Sequence, residues 1–345
     1  MNLNSIREYE SDSAWGEGLI MRILSRSILI FFLFLGLQAQ ATTVLTLAHI
    51  VAPDHPRAKA CQYFADSVKN LSKGRILIEV YGNASLGDAS AMLKALQNGS
   101  LDISANTQGP VSIIVPEFNA FGMPFLFADS AAAWKVLDGP VGKQLVKKSA
   151  SKGLIVLGLW DNGIRHFSNS VRPLLKPSDF VGLKIRTPAD SVTIDIVEAL
   201  GAKTQQINFT DLYTALRLGV VDGQENPLIN VKEAKLQEVQ KFFSLTGHKY
   251  EITPFLMGQK TWDTLAPADR EIILEAAAES TRYQRMLIQK AENEAYNALV
   301  AQGVRIDKVD TKPFIAVTSR IYDKWYASPI GDYVRSVVKA AREKP

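Results

Sequence analysis

The sequence predicts an α/β protein built on a mostly parallel sheet covered by helices. Three observations carry this. Strand-like and helix-like stretches alternate from the start: Thr43–Val51, a helix over about 57–72, Gly74–Tyr81, a helix through Met92, Leu93 and Leu96, then Leu101–Ala105. That β-α-β-α-β order favours parallel strands joined by helical crossovers. The helix punctuation agrees, with Asp88 placed to cap the second helix and Asn98-Gly99-Ser100 placed to stop it. Finally, Ala268–Gln302 contains no Gly or Pro and carries Asp269 and Glu271 in its first turn, which predicts one helix far longer than the usual three or four turns.

The remaining elements follow in order. Pro53-Asp54-His55-Pro56 breaks the first strand before the first helix. Pro110–Phe127 is apolar but interrupted by Pro116, Gly122 and Pro124, and reads as a packed, loop-like wall. Asp129–Ser151 is helical with an interruption at Gly139-Pro140, and Leu154–Trp160 is a core strand. Phe180, Val181, Leu183 and Ile185 make a short apolar strand, and Asp190–Leu200 an amphipathic helix stopped by Gly201. Lys203–Ile207 is a strand. Thr210 or Asn208 caps a helix through Leu212 and Leu216 that ends at Gly219. Val221–Pro227 reads as a turn, 229–240 as a polar helix, Phe242–Thr246 and Tyr250–Met257 as two strand-like pieces, and Lys312–Ala341 as two helices around Pro329.

The first 41 residues do not read as fold. From Met21 the chain has a basic end, an apolar run over Ile28–Leu37 and an Ala39-Gln40-Ala41 exit, the pattern of a secretory signal peptide cleaved after Ala41. The polar stretch before it makes Met21 a second candidate start, and an uncleaved N-terminal anchor is the alternative. We therefore expect an exported, periplasmic protein. With 345 residues, 47% of them hydrophobic, the chain supports a sizeable core. The net charge of +4 is modest, and no basic run interleaved with aromatics marks a nucleic-acid partner. The single cysteine, Cys61, excludes an internal disulfide and reads as a buried thiol.

Catalytic signatures are missing: G-x-S-x-G, Walker A, H-E-x-x-H and a GxGxxG after the first strand are all absent. The four histidines lack metal-ligand spacing, apart from a weak His49/His55 pair across the Pro turn. We expect no enzyme activity, no cofactor and no metal. Binding groups are present instead. Arg186 ends a strand directly before Thr187-Pro188; Pro188 cannot extend a ladder and biases Thr187 toward an extended backbone. A guanidinium is thus placed at a strand end, where open α/β sheets hold their ligands. Arg165 follows the Leu154–Trp160 strand, and V-D-G-Q-E-N-P supplies acidic and amide groups. The default reading of one arginine is a surface salt bridge. Taken together, the three stretches point to a shared site for a small anion, because the planar guanidinium fork fits a carboxylate with two bonds.

N-G-I-R-H-F-S-N-S (Asn162–Ser170), G-L-K-I-R-T-P (Gly182–Pro188) and L-Y-T-A-L-R-L-G-V-V-D-G-Q-E-N-P (Leu212–Pro227), supported by Leu86–Asp88, Pro124–Phe127 and Pro140–Leu145, resemble the DctP-type substrate-binding proteins of TRAP transporters from Thr43 onward. The resemblance implies a two-domain periplasmic-binding-protein-like α/β fold with crossing strands and the long helix between domains. Those domains would be 42–163 with 251–290, and 164–250 with 291–345. It implies capture of a small organic carboxylate (a C4-dicarboxylate or a 2-oxo, hydroxy or aromatic acid) by hinge closure, for delivery to a TRAP membrane permease. It assigns Arg186 to the ligand carboxylate, Arg165 to a second basic contact, Asn226 to an amide contact and Phe209 to an aromatic wall. His49, Asp88, Asn106, Thr107 and Gln108 fall where the first domain lines the cleft, and Trp160 stands as a pocket wall or a core aromatic. A homodimer through the long helix stays open. The other readings are an exported α/β enzyme acting on a carboxylate and a ligand-sensing partner of a membrane kinase.

Overall fold

A computed structural model of the chain describes residues 42–343. The leader, the cleavage point after Ala41 and the choice between Met1 and Met21 lie outside the described residues. Nine strands form one sheet: β1 (Thr43–His49), β2 (Ile76–Tyr81), β3 (Ile103–Ala105), β4 (Leu154–Asn169), β5 (Lys184–Thr187), β6 (Lys203–Gln206), β7 (Gly223–Asn226), β8 (Phe242–Gly258) and β9 (Arg305–Lys308). The spatial order is β2-β1-β3-β8-β4-β7-β5-β6, with β9 beside β8.

The sheet is mixed, whereas the alternating pattern predicts mostly parallel pairing. β1, β2 and β3 are parallel to one another, and so are β5, β6 and β7. Between these two halves run β4 and β8, long strands paired antiparallel. β8 pairs with β3 through Phe255–Met257, and β4 pairs with β7 through His166–Asn169. Each long strand therefore belongs to both halves, and the two are crossing strands. The register breaks between Asp161 and Gly163 and again between Arg165 and Phe167. Gly163 has φ 109°, a conformation other residues rarely hold, which fits a bulge at that point.

Both long strands exceed their expected lengths for one reason. Asp161, Asn162, Arg165, Lys249 and Glu251 are polar, and polarity in a strand pattern reads as an end; here each is buried inside the sheet. The same holds for Gln224, Glu225 and Asn226, which form β7 rather than a turn. Three other expectations are corrected. Pro110–Phe127 is largely helical, as Gln108–Ile114 and a 3-10 turn Pro116–Gly122. The 229–240 helix is only Leu228–Glu233, ending before Lys235 at φ 55°. The last segment holds three helices, Lys312–Thr318, Arg320–Tyr326 and Gly331–Arg342.

The long helix runs Pro267–Ala301. Its Ile273, Ala276 and Ala277 pack with Phe64, Phe255 and Trp160 on the first half, and its Ile288, Ala295 and Leu299 with Leu212, Ile229 and Phe243 on the second. One helix thus buries apolar surface against both halves of the sheet. Trp160 belongs to this packing and not to a ligand wall: it is fully buried, stacks on Phe255 at 4.3 Å, and donates from Nε1 to Thr281 Oγ1 at 3.1 Å. Trp160→Ala is expected to cost about 3–5 kcal/mol of stability by urea denaturation, the usual range for emptying a buried aromatic site; a loss under about 1 kcal/mol would contradict this placement.

Candidate binding site

β5 carries Arg186 to the sheet's C-terminal edge, where Pro188 ends the ladder. The guanidinium is 3% exposed. Its Nε donates to the Ile207 carbonyl at 2.8 Å, while Nη1 and Nη2 have no hydrogen-bond partner among the described residues. Burial, and then the like charge of Arg165, pull its pKa down to about 10 against the opposing pull of Glu225. Arg186 lines a cavity of about 640 Å³, mouth included, that lies where the two halves of the sheet face each other.

Arg165 lines the same cavity from β4 but is already engaged. Its Nε pairs with Glu225 Oε2 and its Nη1 with Glu251 Oε2, and its Nη2 donates to the Glu225 carbonyl at 2.6 Å and to Oε1 at 2.8 Å. Burial alone would lower the Arg165 pKa, but Glu225 and Glu251 outweigh it and raise it. In the same way the burial penalty on Glu225 is overcome by Arg165, which holds its carboxyl far below the usual range. His248 Nε2 lies 3.4 Å from Glu225 Oε2.

A third guanidinium, Arg57, lines the cavity and escaped the sequence reading. It sits in the first turn of the helix Pro56–Leu71, 2% exposed. Its Nη2 donates to Asn162 Oδ1 at 3.0 Å and to Thr253 Oγ1 at 2.8 Å, while Nε and Nη1 are buried without partners. Burial lowers its pKa to about 10. A cation in a helix's first turn opposes the helix dipole, so its position was itself a signal that something other than helix stability holds it there. Asn162, Asn230 and Glu251 were likewise unforeseen. Asn162 donates to Glu251 Oε2 at 2.6 Å, and Asn230 reaches both Asn162 and Asn226.

Of the expected site residues, Arg186, Arg165, Asn226, Phe209, Asp88 and Thr107 line this one cavity. Asp88 caps the helix Ala89–Asn98 through Ala91 N at 2.8 Å and accepts from Asn208 Nδ2 at 2.7 Å, a bond from one half of the sheet to the other. His49, Asn106, Gln108 and Trp160 are buried and do not line the cavity, and His49 Nδ1 and Gln108 Nε2 have no hydrogen-bond partner among the described residues. The His49 ring lies against Gly82, where an added Cβ would stand 2.8 Å from Cε1. Asn106 braces the loop after β3, donating to Ala89 O and accepting from Thr107 N. Gln108 Oε1 accepts from Ile252 N at 2.9 Å. As for the His49/His55 pair, both ring nitrogens of His55 are committed, Nδ1 to Arg57 N and Nε2 to Asn230 Oδ1.

A two-halved α/β sheet with crossing strands and a buried, guanidinium-lined cleft has the architecture of a solute-binding protein. The model of the bacterial extracellular solute-binding protein family 7, DctP, matches residues 47–328, and the chain belongs to that family. It is 47% identical over 286 residues to y4mM of Sinorhizobium fredii, covering 83% of this chain and 53% of that one, so the chain spans about half the length of that relative. It is 35% identical over 306 residues to the C4-dicarboxylate-binding periplasmic protein DctP of Rhodobacter capsulatus, covering 86% and 90% of the two chains. Among solved structures it resembles the sugar acid binding protein DctPAm of Advenella mimigardefordensis in complex with galactonate, with TM-score 0.85 and 33% identity over 88% of this chain and 98% of that one.

All four histidines are buried. Burial first, aided by nearby cations, lowers His49 to about 4 and His55 to about 3; burial and His248 lower His166 to about 3, and burial lowers His248 as well. Such groups remain neutral in the fold while the unfolded chain takes up protons near pH 6.5, so their stabilising contribution is lost as pH falls below that value. Burial acts oppositely on Glu292 and Asp161, raising them to about 7 and about 6. Four histidines against two carboxyls leave the unfolded state ahead by about two protons near pH 5, and the depressed carboxyls of Glu225 and Asp190 add to that lead nearer pH 4. Stability is expected to fall progressively from about pH 6 to pH 4, at up to about 1.4 kcal/mol per pH unit per net proton; a melting temperature that is flat or rising on acidification would refute this.

Proposed function

We propose that this protein is a non-catalytic periplasmic solute-binding protein that captures a small organic carboxylate and presents it to a TRAP-type membrane permease. The observation that carries the reading is Arg186: a buried guanidinium lining the cavity, fixed by one bond from Nε, with Nη1 and Nη2 unpartnered among the described residues. A desolvated cation of this kind is costly alone and is satisfied by a carboxylate's two oxygens. Two charge-assisted hydrogen bonds at roughly 1.5–3 kcal/mol each supply a large part of the roughly 8 kcal/mol that micromolar binding needs. Asn226 and Asn230 supply amide groups beside it, and Phe209 an apolar wall. The relatives support the same chemistry, one being a C4-dicarboxylate-binding periplasmic protein and one a sugar acid binding protein holding galactonate. The only thiol, Cys61, is buried in the first core with its pKa pushed up by burial, and it does not line the cavity.

Capture by hinge closure follows from this reading. The domains are 42–163 with 251–290 and 164–250 with 291–345, meeting where β4 breaks register at Gly163 opposite Glu251. A bulge at that pair supports bending there, because its backbone is already outside regular strand geometry.

Arg186→Lys is expected to weaken carboxylate binding by at least about tenfold in calorimetry, since a point charge cannot reproduce the planar fork; unchanged affinity would remove Arg186 from the site. In a thermal-shift screen of organic acids, a true ligand at about 100 times its dissociation constant is expected to stabilise the protein by about 2.7 kcal/mol. A screen of carboxylates without any such shift would overturn the reading.

A further inference from the structure

Resting on that capture reading, we propose that His55, which does not line the cavity, is a positioning residue for the ligand: its ring fixes the side-chain amide of Asn230, and Asn230 fixes that of Asn226, so that one N–H of Asn226 is presented to the carboxylate. His55 caps the helix Pro56–Leu71 and is 2% exposed. The orientation of the amides beside it is set by two charged groups. Asn162 Oδ1 accepts from Arg57 Nη2, which can only donate, and Asn162 Nδ2 donates to the Glu251 carboxylate. Because Asn162 turns Oδ1 toward Asn230, the group Asn230 offers in return is Nδ2, at 3.3 Å. Asn230 Oδ1 then faces the His55 ring, and the bond at 2.9 Å requires a proton on Nε2. The other ring nitrogen agrees: Nδ1 accepts from the backbone N–H of Arg57 at 3.0 Å, so it is bare. His55 is thus the neutral Nε2–H tautomer, and burial and the neighbouring Arg57 charge keep it unprotonated.

The same donor direction continues into the cavity wall. Asn230 Nδ2 also donates to Asn226 Oδ1 at 3.1 Å, which commits both of its hydrogens. Asn226 Nδ2 donates to Gln224 Oε1, Gln224 Nε2 to Ser168 Oγ, and Ser168 Oγ to Gln240 Oε1. The Asn226 amide is therefore held at both ends, with one Nδ2 hydrogen left without a partner among the described residues. Asn226 lines the cavity with Arg186, where a fixed donor suits a carboxylate oxygen. His55 is the one partner of Asn230 Oδ1 among the described residues. Without its ring that buried oxygen is orphaned, and an orphaned acceptor costs more than a lost bond. The Asn230 amide is then drawn toward water in the space the ring leaves, which takes Nδ2 away from Asn226 and frees the Asn226 amide to turn its oxygen toward the ligand.

Titration calorimetry on the mature protein with succinate, D-erythronate, D-glucuronate and D-galactonate identifies the tightest binder as the probe. His55→Asn keeps a helix cap, since Asn is among the best capping residues, but its side chain ends where the Nδ1 of histidine stands and does not reach Asn230. The probe is expected to bind His55→Asn about tenfold more weakly, the scale of one charge-assisted hydrogen bond. In an Asn226→Ala background the same substitution is expected to change affinity by less than about twofold, because the amide it acts through is gone. Unchanged affinity in His55→Asn, or an equal loss in the Asn226→Ala background, would overturn the positioning role while leaving carboxylate capture in place. Nitrogen NMR of the unsubstituted protein gives a readout that needs no variant to fold: the His55 proton is expected on Nε2 with Nδ1 bare, and a ring protonated at Nδ1 would overturn the hydrogen-bond chain. If neither these acids nor a wider carboxylate panel binds, the capture reading falls and this inference falls with it.

Discussion

The buried ion cluster of Arg165 with Glu225 and Glu251 is the constraint on which the site depends. It joins β4, β7 and β8 at the place where the two halves of the sheet meet. Taking three charges out of water carries a penalty of several kcal/mol per ion, recovered only when each is closely matched. Here the match is nearly complete, because Arg165 uses all three nitrogens and adds the Glu225 carbonyl to the two carboxylates. Removing either acid would leave a buried guanidinium unpaired, so the cluster is rigid by necessity. Its rigidity determines the roles around it. Arg165 is fully engaged, and the guanidinium groups with nitrogens to spare are Arg186 on β5, beyond β7, and Arg57.

The cluster also tunes its neighbours. Arg165 presses on both Arg57 and Arg186, and with burial this brings each to a pKa of about 10. Neither loses its proton at neutral pH, so both remain buried cations. Asn162 relays the arrangement, accepting from Arg57 and donating to Glu251. Asn230 extends it to Asn226 and to His55. A network of this kind is worth more intact than as separate pairs. It leaves few polar atoms free to turn toward water, so specificity is concentrated in the few that remain unpaired.

How far the site was legible in the sequence depended on local backbone signals. Arg186 could be read because Pro188 marks the strand's end beside it, and Asn226 because it sits in a long, distinctive motif, whereas Phe209, outside those motifs, came from the family resemblance alone. The crossing strands were read short for the opposite reason. Their central residues, Asp161, Asn162, Arg165, Lys249 and Glu251, are polar yet buried, and a period-two pattern assigns such residues to loops. The β4 register breaks compound this, because each slip changes which side chains share a face. Arg57 lay in a helix that reads as ordinary amphipathic packing, and only tertiary contacts reveal what its guanidinium meets. The fold class needed less information, since alternating elements and one uninterrupted long helix are properties of the chain's local pattern.

Direct contacts also cross the cleft between the two halves of the sheet. Asn230 meets His55 and Asn162, Tyr322 and Tyr333 donate to the carbonyls of Pro124 and Val141, and Tyr333, Val334 and Val337 share a core with Phe121, Phe127 and Leu145. Asp88 accepts from Asn208 at 2.7 Å, and Gly109 approaches the Ala189 carbonyl so closely that a Cβ there would stand 2.8 Å from its oxygen. Neither contact buries much apolar surface, and an exposed hydrogen bond adds only about 0.5–1.5 kcal/mol. The halves are instead kept together as one body by the long helix and the two crossing strands. Gln284 receives Asp161 N and donates to Asp161 O, and Glu292 accepts from Leu228 N and Ile229 N, so the helix grips backbone on both sides of the register break.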